Sequence, residues 1–463
     1  MVISVGLLDY HWVKALLLKW QANNQFLADY YCRVVLAYAL LQFQAGQIAR
    51  GTKALDHLDL STVPRIKLPL VAMFYDVCGK PDRRNICLAL LEQAESNIPG
   101  RTEVNKLGCK IFGSTFAPIG HSALIEIYVK AKILKLIDTT KLVICLEKQQ
   151  FSNYALIEYW NQQHCELITD RDTVSQLRAL LAPCEEKLVC VQMADRRMLP
   201  FEHFAFEVQS KWEAENAGAL LGLSSDHRER GSLYLQSLGM PKDAWFCGLH
   251  VRDTEDTLSD IRNANVETYD LAIFEIEKRG GWVIRIGDSR MPPLKGNKYK
   301  NVIDYAHRPD RQDWLDIFIA AGSRFFIGTG SGPSAIPISF GVPVLYTNWG
   351  PLLNRQWGNQ DLLVPKQYWS VRLQRYLNMY ERMEPSIGRI QSKAALLCEE
   401  IEVHDNNPEI LKAAVIEMMC GINRSVAGCS EQMAFRELCI MNKVYPTRLA
   451  AAFVDQYPHF FEK

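Results

Sequence analysis

The sequence has no apolar run long enough to cross a bilayer. Its longest, residues 34–41, falls far short of the roughly 20 residues that a spanning helix requires. It has no excess charge of either sign, with 52 basic against 52 acidic side chains. A neutral balance argues against a chain whose main partner is a nucleic-acid backbone, which calls for a basic field over the domain. A local basic cleft for a phosphate is still allowed. The 13 cysteines form no C-x-x-C pair, and no Walker A or G-x-G-x-x-G pattern occurs. The first 20 residues carry the acidic Asp9 ahead of a short apolar stretch and no small-residue cleavage pattern after it, so they do not read as a signal peptide.

What is present is ordinary globular material: 463 residues, 48% hydrophobic and 22% charged, enough for two to four domains. The cysteine count is odd, and several cysteines sit inside apolar strand-like runs, such as Cys145 and Cys190. Reduced core thiols and a cytoplasmic location, peripheral to the inner face of the membrane if membrane-associated at all, are the expectation.

The order of elements predicts an α/β chain in four parts. Residues 1–104 are helical in pattern, with breaks near Gly46 and at Gly79 and Pro81. That spacing is near the period of tetratricopeptide-like hairpins, so the segment reads either as repeat-like or as an irregular helical extension. It is also the segment expected to meet a membrane surface or a protein partner, if either is met. Residues 105–235 alternate strand and helix, with strands expected at 108–113, 141–146, 165–169 and 187–193. Residues 244–385 do so again, with strands at 245–251, 282–287, 301–306, 324–328 and 342–348 and a helix at 333–340. Residues 386–463 read as a helical tail. Two Rossmann-like doubly wound domains, with a helical N-terminal extension and a helical C-terminal tail, is the predicted architecture.

In open parallel sheets, ligands gather at the carboxyl ends of the strands. In residues 244–385 five strand ends deliver polar or glycine-rich residues there: His250-Val251-Arg252-Asp253, Arg285-Ile286-Gly287-Asp288, Asp304-Tyr305-Ala306-His307, Gly328-Thr329-Gly330-Ser331-Gly332 and Thr347-Asn348-Trp349. The glycine-rich turn, continuing through Pro333 to Ser334, suits a diphosphate cradle whose backbone N–H groups and following helix face an oxyanion. It also suits a plain strand-to-helix turn. Arg252 can grip two phosphate oxygens without losing its charge. His250 orients the loop or touches the ligand, or is a core histidine. Asp316 is placed to face a base or ribose, or is an ordinary acid of a first helical turn. The D-x-D triplet Asp170-Arg171-Asp172 could hold a divalent cation, but reads better as a loop and helix cap.

Residues 250–349 resemble a bacterial family of GT-B glycosyltransferases of cell-surface polysaccharide biosynthesis, distantly similar to the α-1,6- and protein O-fucosyltransferases. The likeness rests on H-V-R-D at 250–253, D-I-R-N-A at 260–264, G-W-V-I-R-I-G-D at 281–288, V-I-D-Y-A at 302–306 and F-F-I-G-T-G-S-G at 325–332. Ile119-Gly120-His121 looks like the glycine turn opening the N-terminal half of the same family. The resemblance implies a GT-B-like fold and a hexosyl or fucosyl transferase. It implies that His250 and Arg252 match an H-x-R motif on the donor diphosphate, and that Asp316 and Ser331 match a donor-side aspartate and loop serine. The sequence departs from many fucosyltransferases at Asp253, where they have a second basic residue.

The expected function is therefore transfer of a sugar from a GDP- or UDP-sugar to a glycan, glycolipid or protein acceptor, with no cofactor and no metal. Arg252 and His250 are the expected catalytic pair. Asp288, Tyr305, Asp316, Gly328, Thr329, Gly330, Ser331, Gly332 and Ser334 are expected on the donor, and Gly120 and His121 on the acceptor side. Glu147, Asp170 and His121 flank strand ends where a base for the acceptor hydroxyl is expected. Two other classes stay open: a sugar-nucleotide epimerase of the same architecture, and a non-catalytic helical-repeat interaction protein.

Overall fold

The computed structural model describes residues 25–44, 47–180, 188–253, 260–295, 298–354, 358, 360–420 and 429–462. The break near Gly46, the first 20 residues and Cys184 lie outside them. The chain divides into two compact units: Met1–Lys106 with Pro183–Pro200, and Leu107–Ala182 with Phe201–Lys463.

In the first unit the helices are Gln25–Gln44, Ile48–Leu55, Leu68–Val77, Pro81–Ser96 and Arg101–Lys106. The expected break at Gly79 is real: Gly79 takes φ +67°, and Pro81 opens the next helix at a position that needs no N–H. Leu36, Leu55, Val71, Phe74, Tyr75 and Leu88 are buried together in its core.

The second unit opens with three parallel strands in spatial order β1 (Cys109–Phe112), β2 (Lys141–Cys145) and β3 (Cys165–Ile168). The strand expected fourth, at 187–193, does not join them. It is β4 (Cys190–Gln192), pairing antiparallel with β5 (Met198–Pro200). The reason lies in its apolar residues and a tight turn. Arg196 takes φ +70°, reversing the chain so that Cys190 and Met198 enter the core of the helical unit. The Met198 amide donates to Asp76 there, at 2.5 Å.

The second half of this unit is a complete sheet. Its strands are β6 (Phe246–His250), β7 (Trp282–Arg285), β8 (Val302–Asp304), β9 (Phe326–Gly328), β10 (Val344–Trp349) and β11 (Leu362–Pro365). They are followed by β12 (Gln367–Ser370), β13 (Arg375–Tyr376), β14 (Ile401–His404) and β15 (Arg448–Leu449). The order β15-β11-β10-β9-β6-β7-β8 gives seven strands, all pairs parallel. The tail expected to be helical at 386–463 is thus not helical throughout: its strand β14 joins β12 and β13 in a separate antiparallel sheet, and its strand β15 closes one edge of the main one. The β-branched and aromatic residues of these short segments, in Gln367-Tyr368-Trp369 and Ile401-Glu402-Val403, favour extended pairing.

The two α/β halves are tied by hydrogen bonds. Asn153 caps helix Tyr154–Gln163 by accepting from the Leu156 amide at 3.0 Å, and its Nδ2 donates to the Asp313 carbonyl at 3.0 Å. The Tyr154 amide donates to the Asp313 carboxylate at 2.8 Å. At the amino ends of the large sheet, Glu126 pairs with Lys130 and accepts from Ser339 at 2.7 Å. Asp361 there accepts from the amides of Val344 and Gly358 at 2.8 and 2.9 Å. Glu126 and Lys130 satisfy one another, which is how buried ions are tolerated, while burial raises the Asp361 pKa well above the usual carboxylate range.

Candidate functional site at the carboxyl edge of the seven-stranded sheet

At the carboxyl edge of the same sheet several buried polar atoms lack a protein partner. Among the described residues, His250 Nε2, Arg252 Nε, Arg285 Nε and Nη2, His307 Nε2, Arg311 Nε, Asp316 Oδ1 and Trp349 Nε1 are buried without a protein partner. All lie at or just beyond the carboxyl ends of β6, β7, β8 and β10 or in the helix turn that follows β8. A buried polar atom left unpaired costs about 1–3 kcal/mol, and this cluster makes the edge the candidate site.

His250 ends β6. Its Nδ1 lies 3.1 Å from the Ile286 carbonyl, which assigns the proton to Nδ1 and leaves a lone pair on Nε2. Burial, with the charges of Arg285 and Arg252, pushes its pKa down to about 4. At neutral pH it is an uncharged acceptor rather than a cation.

Arg252 is fixed through its backbone. Its amide donates to Thr329 Oγ1 at 3.0 Å, and its carbonyl accepts from Ala264 at 2.9 Å. Its guanidinium is 3.0 Å from Asp260, which Arg262 also grips at 2.6 Å. Burial acts to raise the Asp260 pKa, but the hydrogen bonds and charge of Arg262, with the charge of Arg252, hold it below the usual carboxylate range. Asp253 does not share this pairing. Burial raises its pKa, and it lines a pocket of about 470 Å³ with Asn263, Asn265, Pro292, Lys393 and Asp405.

The glycine-rich turn is tightly built. Ser334 Oγ donates to the Thr329 carbonyl at 2.8 Å, the Ser331 amide to the same carbonyl at 2.7 Å, and the Ser334 amide to the Ser331 carbonyl at 3.1 Å. A Cβ at Gly328 would fall 2.2 Å from Ser334 Oγ, so only glycine fits. Thr329 and Ser334 therefore shape the loop from within. Gly330, Ser331 and Gly332 form its accessible crest. The helix expected at 333–340 is weaker than foreseen: a 3-10 turn Gly332–Ala335 followed by Ile336–Ser339. Pro333 and Pro337 remove two N–H donors from so short a segment, and little helix dipole is left to stabilise an anion. The burden shifts to the arginines.

Other expected positions are placed plainly. Tyr305 is fully buried and its hydroxyl accepts from the Gln312 amide at 2.8 Å and lies 3.3 Å from the Gln312 carbonyl, a loop-holding role. Asp288 is taken by its neighbour Arg290, whose hydrogen bonds at 2.9 and 2.6 Å hold its pKa at about 2. Asp316 is largely buried in the first turn of helix Asp313–Gly322, and burial raises its pKa to about 7 against the pull of Arg311, whose guanidinium is 4.0 Å away.

On the other half, Gly120 touches Gly332, bringing the glycine turn of the three-stranded half against the loop. His121 is exposed, with Nδ1 2.9 Å from the Thr115 carbonyl. Glu147 follows β2 and accepts from Gln149 at 2.7 Å. Asp170 caps helix Arg171–Leu177 by accepting from the Thr173 amide and hydroxyl at 2.9 and 2.7 Å. Among the described residues, no group of three or more His, Cys, Asp or Glu side chains is placed to hold a metal ion. No described helix is long and apolar enough to cross a membrane.

Arg262 and Arg311 were not among the expected site positions, while Arg285 and His307 were read at two of the five polar strand ends without a role of their own. Arg285 is fully buried and held at 3.2 Å by Asp304.

No family model and no curated protein matches the chain. Solved structures similar to it include a glycosyl transferase family 9 protein from Veillonella parvula, at 12% identity over 67% of this chain and 97% of that one, with a TM-score of 0.37. The E. coli heptosyltransferase WaaC with ADP is similar at 10% identity over 63% and 96%, TM-score 0.32. The iron-containing heptosyltransferase TibC of E. coli, in complex with ADP-D-beta-D-heptose, is similar at 14% identity over 55% and 61%, TM-score 0.32.

Proposed function

We propose that this chain is a GT-B-like glycosyltransferase that takes a sugar from a nucleoside-diphosphate donor, a GDP- or UDP-sugar, and delivers it to a hydroxyl of a glycan, glycolipid or protein acceptor without a metal. The observation that carries this reading is the gathering of unpaired buried donors, above all Arg252 Nε, beside the crest Gly330-Ser331-Gly332 at the carboxyl edge of a parallel sheet. The acceptor oxygen attacks the anomeric carbon as the bond from that carbon to the diphosphate oxygen breaks. The electron pair leaves with the diphosphate and the acceptor proton passes to a base. Negative charge grows on the leaving group, so fixed cationic donors lower the barrier. Arg252 is the group for that task. Neutral His250 accepts through Nε2, and Asp316 with Arg311 offers an acceptor beside a donor for the base or ribose. Gly120 and His121 stand on the acceptor side, and Glu147 follows a strand end there without being committed to a helix cap.

The test is a thermal-shift screen against GDP, UDP, CDP, ADP and CMP, with and without chelator. Stabilisation by one nucleoside diphosphate follows from linkage and names the donor class. No shift with any of them sinks the reading, and a shift abolished by chelator sinks its metal-free form. Release of a new sugar nucleotide in the absence of acceptor would favour the epimerase instead.

A further inference from the structure

We propose that Arg262 is the second guanidinium of the diphosphate site, standing with Arg252 beside the glycine crest and sharing with it the single carboxylate Asp260. This rests on the nucleotide-sugar reading and names a residue that the H-V-R-D pattern does not contain. The position after Arg252 is Asp253, which brings no positive charge. Arg262 supplies it instead. Its stem lies along the crest, close enough that a Cβ on Gly330 would sit 3.3 Å from Arg262 Cγ and 3.5 Å from Cδ.

Asp260 holds the pair in place. It accepts from the Arg262 amide at 2.9 Å, from Nε at 2.8 Å and from Nη2 at 2.6 Å, and from Arg252 at 3.0 Å. Two guanidiniums on one carboxylate leave a surplus positive charge in a half-buried setting, which is costly without a second anion and favourable once one arrives. Arg252 Nε is buried there without a partner. A diphosphate presents several oxygens to the N–H groups these guanidiniums do not spend on Asp260, Arg252 Nε among them, a multidentate recognition that suits arginine better than lysine.

Titration calorimetry of the full chain with UDP, GDP, ADP, CDP and inorganic pyrophosphate tests this in wild type, Arg262→Gln, Arg262→Lys and the remote surface control Arg375→Gln. Expected is a loss of at least about tenfold in diphosphate and pyrophosphate affinity for Arg262→Gln, scaled from charge-assisted hydrogen bonds. Arg262→Lys should lose less and the control nothing. A nucleoside without phosphates should bind all four proteins alike, which a merely structural role of Arg262 would not predict. Wild-type diphosphate affinity in Arg262→Gln overturns the proposal, as does wild-type affinity in Arg262→Lys should the glutamine variant fail to fold. Failure of wild type to bind pyrophosphate and every nucleotide also overturns it. Pyrophosphate binding that needs Arg262, with no nucleotide bound, would uphold the clamp and sink the glycosyltransferase reading.

Discussion

Gly120 and Gly332 meet backbone to backbone: a Cβ built on Gly120 would lie 2.7 Å from Gly332 Cα, and one on Gly332 would lie 2.8 Å from the Gly120 amide nitrogen. The turn that follows β1 and the crest that follows β9 can approach this closely because neither residue has a side chain. Under the proposed function, this contact sets the distance between the donor-side loop and the acceptor-side turn. Gly120→Ala should fold, at a cost of about 1–3 kcal/mol for overpacking, and should depress sugar transfer far more than it weakens nucleoside-diphosphate binding. Parallel turnover and calorimetry measurements check this; equal losses in both would mean that the contact shapes only the loop.

His250 and Asp316 tie stability to pH in opposite directions. The folded pKa of His250 is pushed by burial to about 4 from 6.5, so the unfolded chain takes up a proton first, and stability is lost as pH falls from 6.5 toward 4. The folded pKa of Asp316 is raised by burial to about 7 from 3.8, so its contribution is full below the unfolded value and is lost as pH rises toward 7. Each is worth at most about 3–4 kcal/mol across its window, and in the wild type they offset one another. Denaturant titrations between pH 4.5 and 7 should therefore separate the variants. His250→Asn, which keeps a donor for the Ile286 carbonyl, should lose stability as pH rises. Asp316→Asn should gain it. Parallel curves for both variants and wild type would contradict the assignment.

Much of this edge was legible because strand ends announce themselves. The passage from apolar strand to Gly328-Thr329-Gly330-Ser331-Gly332 marks both the loop and its place, and the same logic locates His250 and Arg252. Side-chain direction was not legible. Tyr305, Asp288, Thr329 and Ser334 sit where expected, yet each spends its polar group on a near neighbour, which depends on loop closure rather than residue type. Arg262 was hidden for the opposite reason, since a guanidinium reaches several ångströms from its own backbone. The strand at Cys190–Gln192 was readable as a strand. Its partner was not, because a three-residue apolar segment fits an antiparallel hairpin as well as a parallel sheet.

The D-x-D triplet yields a separate expectation. Asp170 is a helix cap whose Oδ2 accepts both the amide and the hydroxyl of Thr173, and these hydrogen bonds keep its pKa below the usual carboxylate range. Asp170→Ala should cost about 1 kcal/mol through loss of the cap and leave donor binding and its response to chelator unchanged. A large fall in nucleotide affinity, or metal dependence lost with the substitution, would place Asp170 in the site after all.

Thr329 gives the sharpest separation of loop shape from ligand contact. Its hydroxyl accepts from the Arg252 amide at 3.0 Å while its carbonyl receives Ser334 Oγ at 2.8 Å, so one residue couples the end of β6 to the turn after β9. Thr329→Val keeps the shape of the side chain but leaves the Arg252 amide unpaired, a penalty of about 1–3 kcal/mol. Ser334→Ala removes only the inner tie of the turn and opens a small space against Gly328. If Arg252 grips the leaving diphosphate, Thr329→Val should lower kcat more than it raises KM, because the arginine is displaced where charge grows in the transition state. Ser334→Ala should raise KM more than it lowers kcat, through a looser crest. Steady-state kinetics on both variants, with donor varied at saturating acceptor, decides the point. The reverse pattern would move the catalytic weight from Arg252 to the backbone of Gly330 and Gly332.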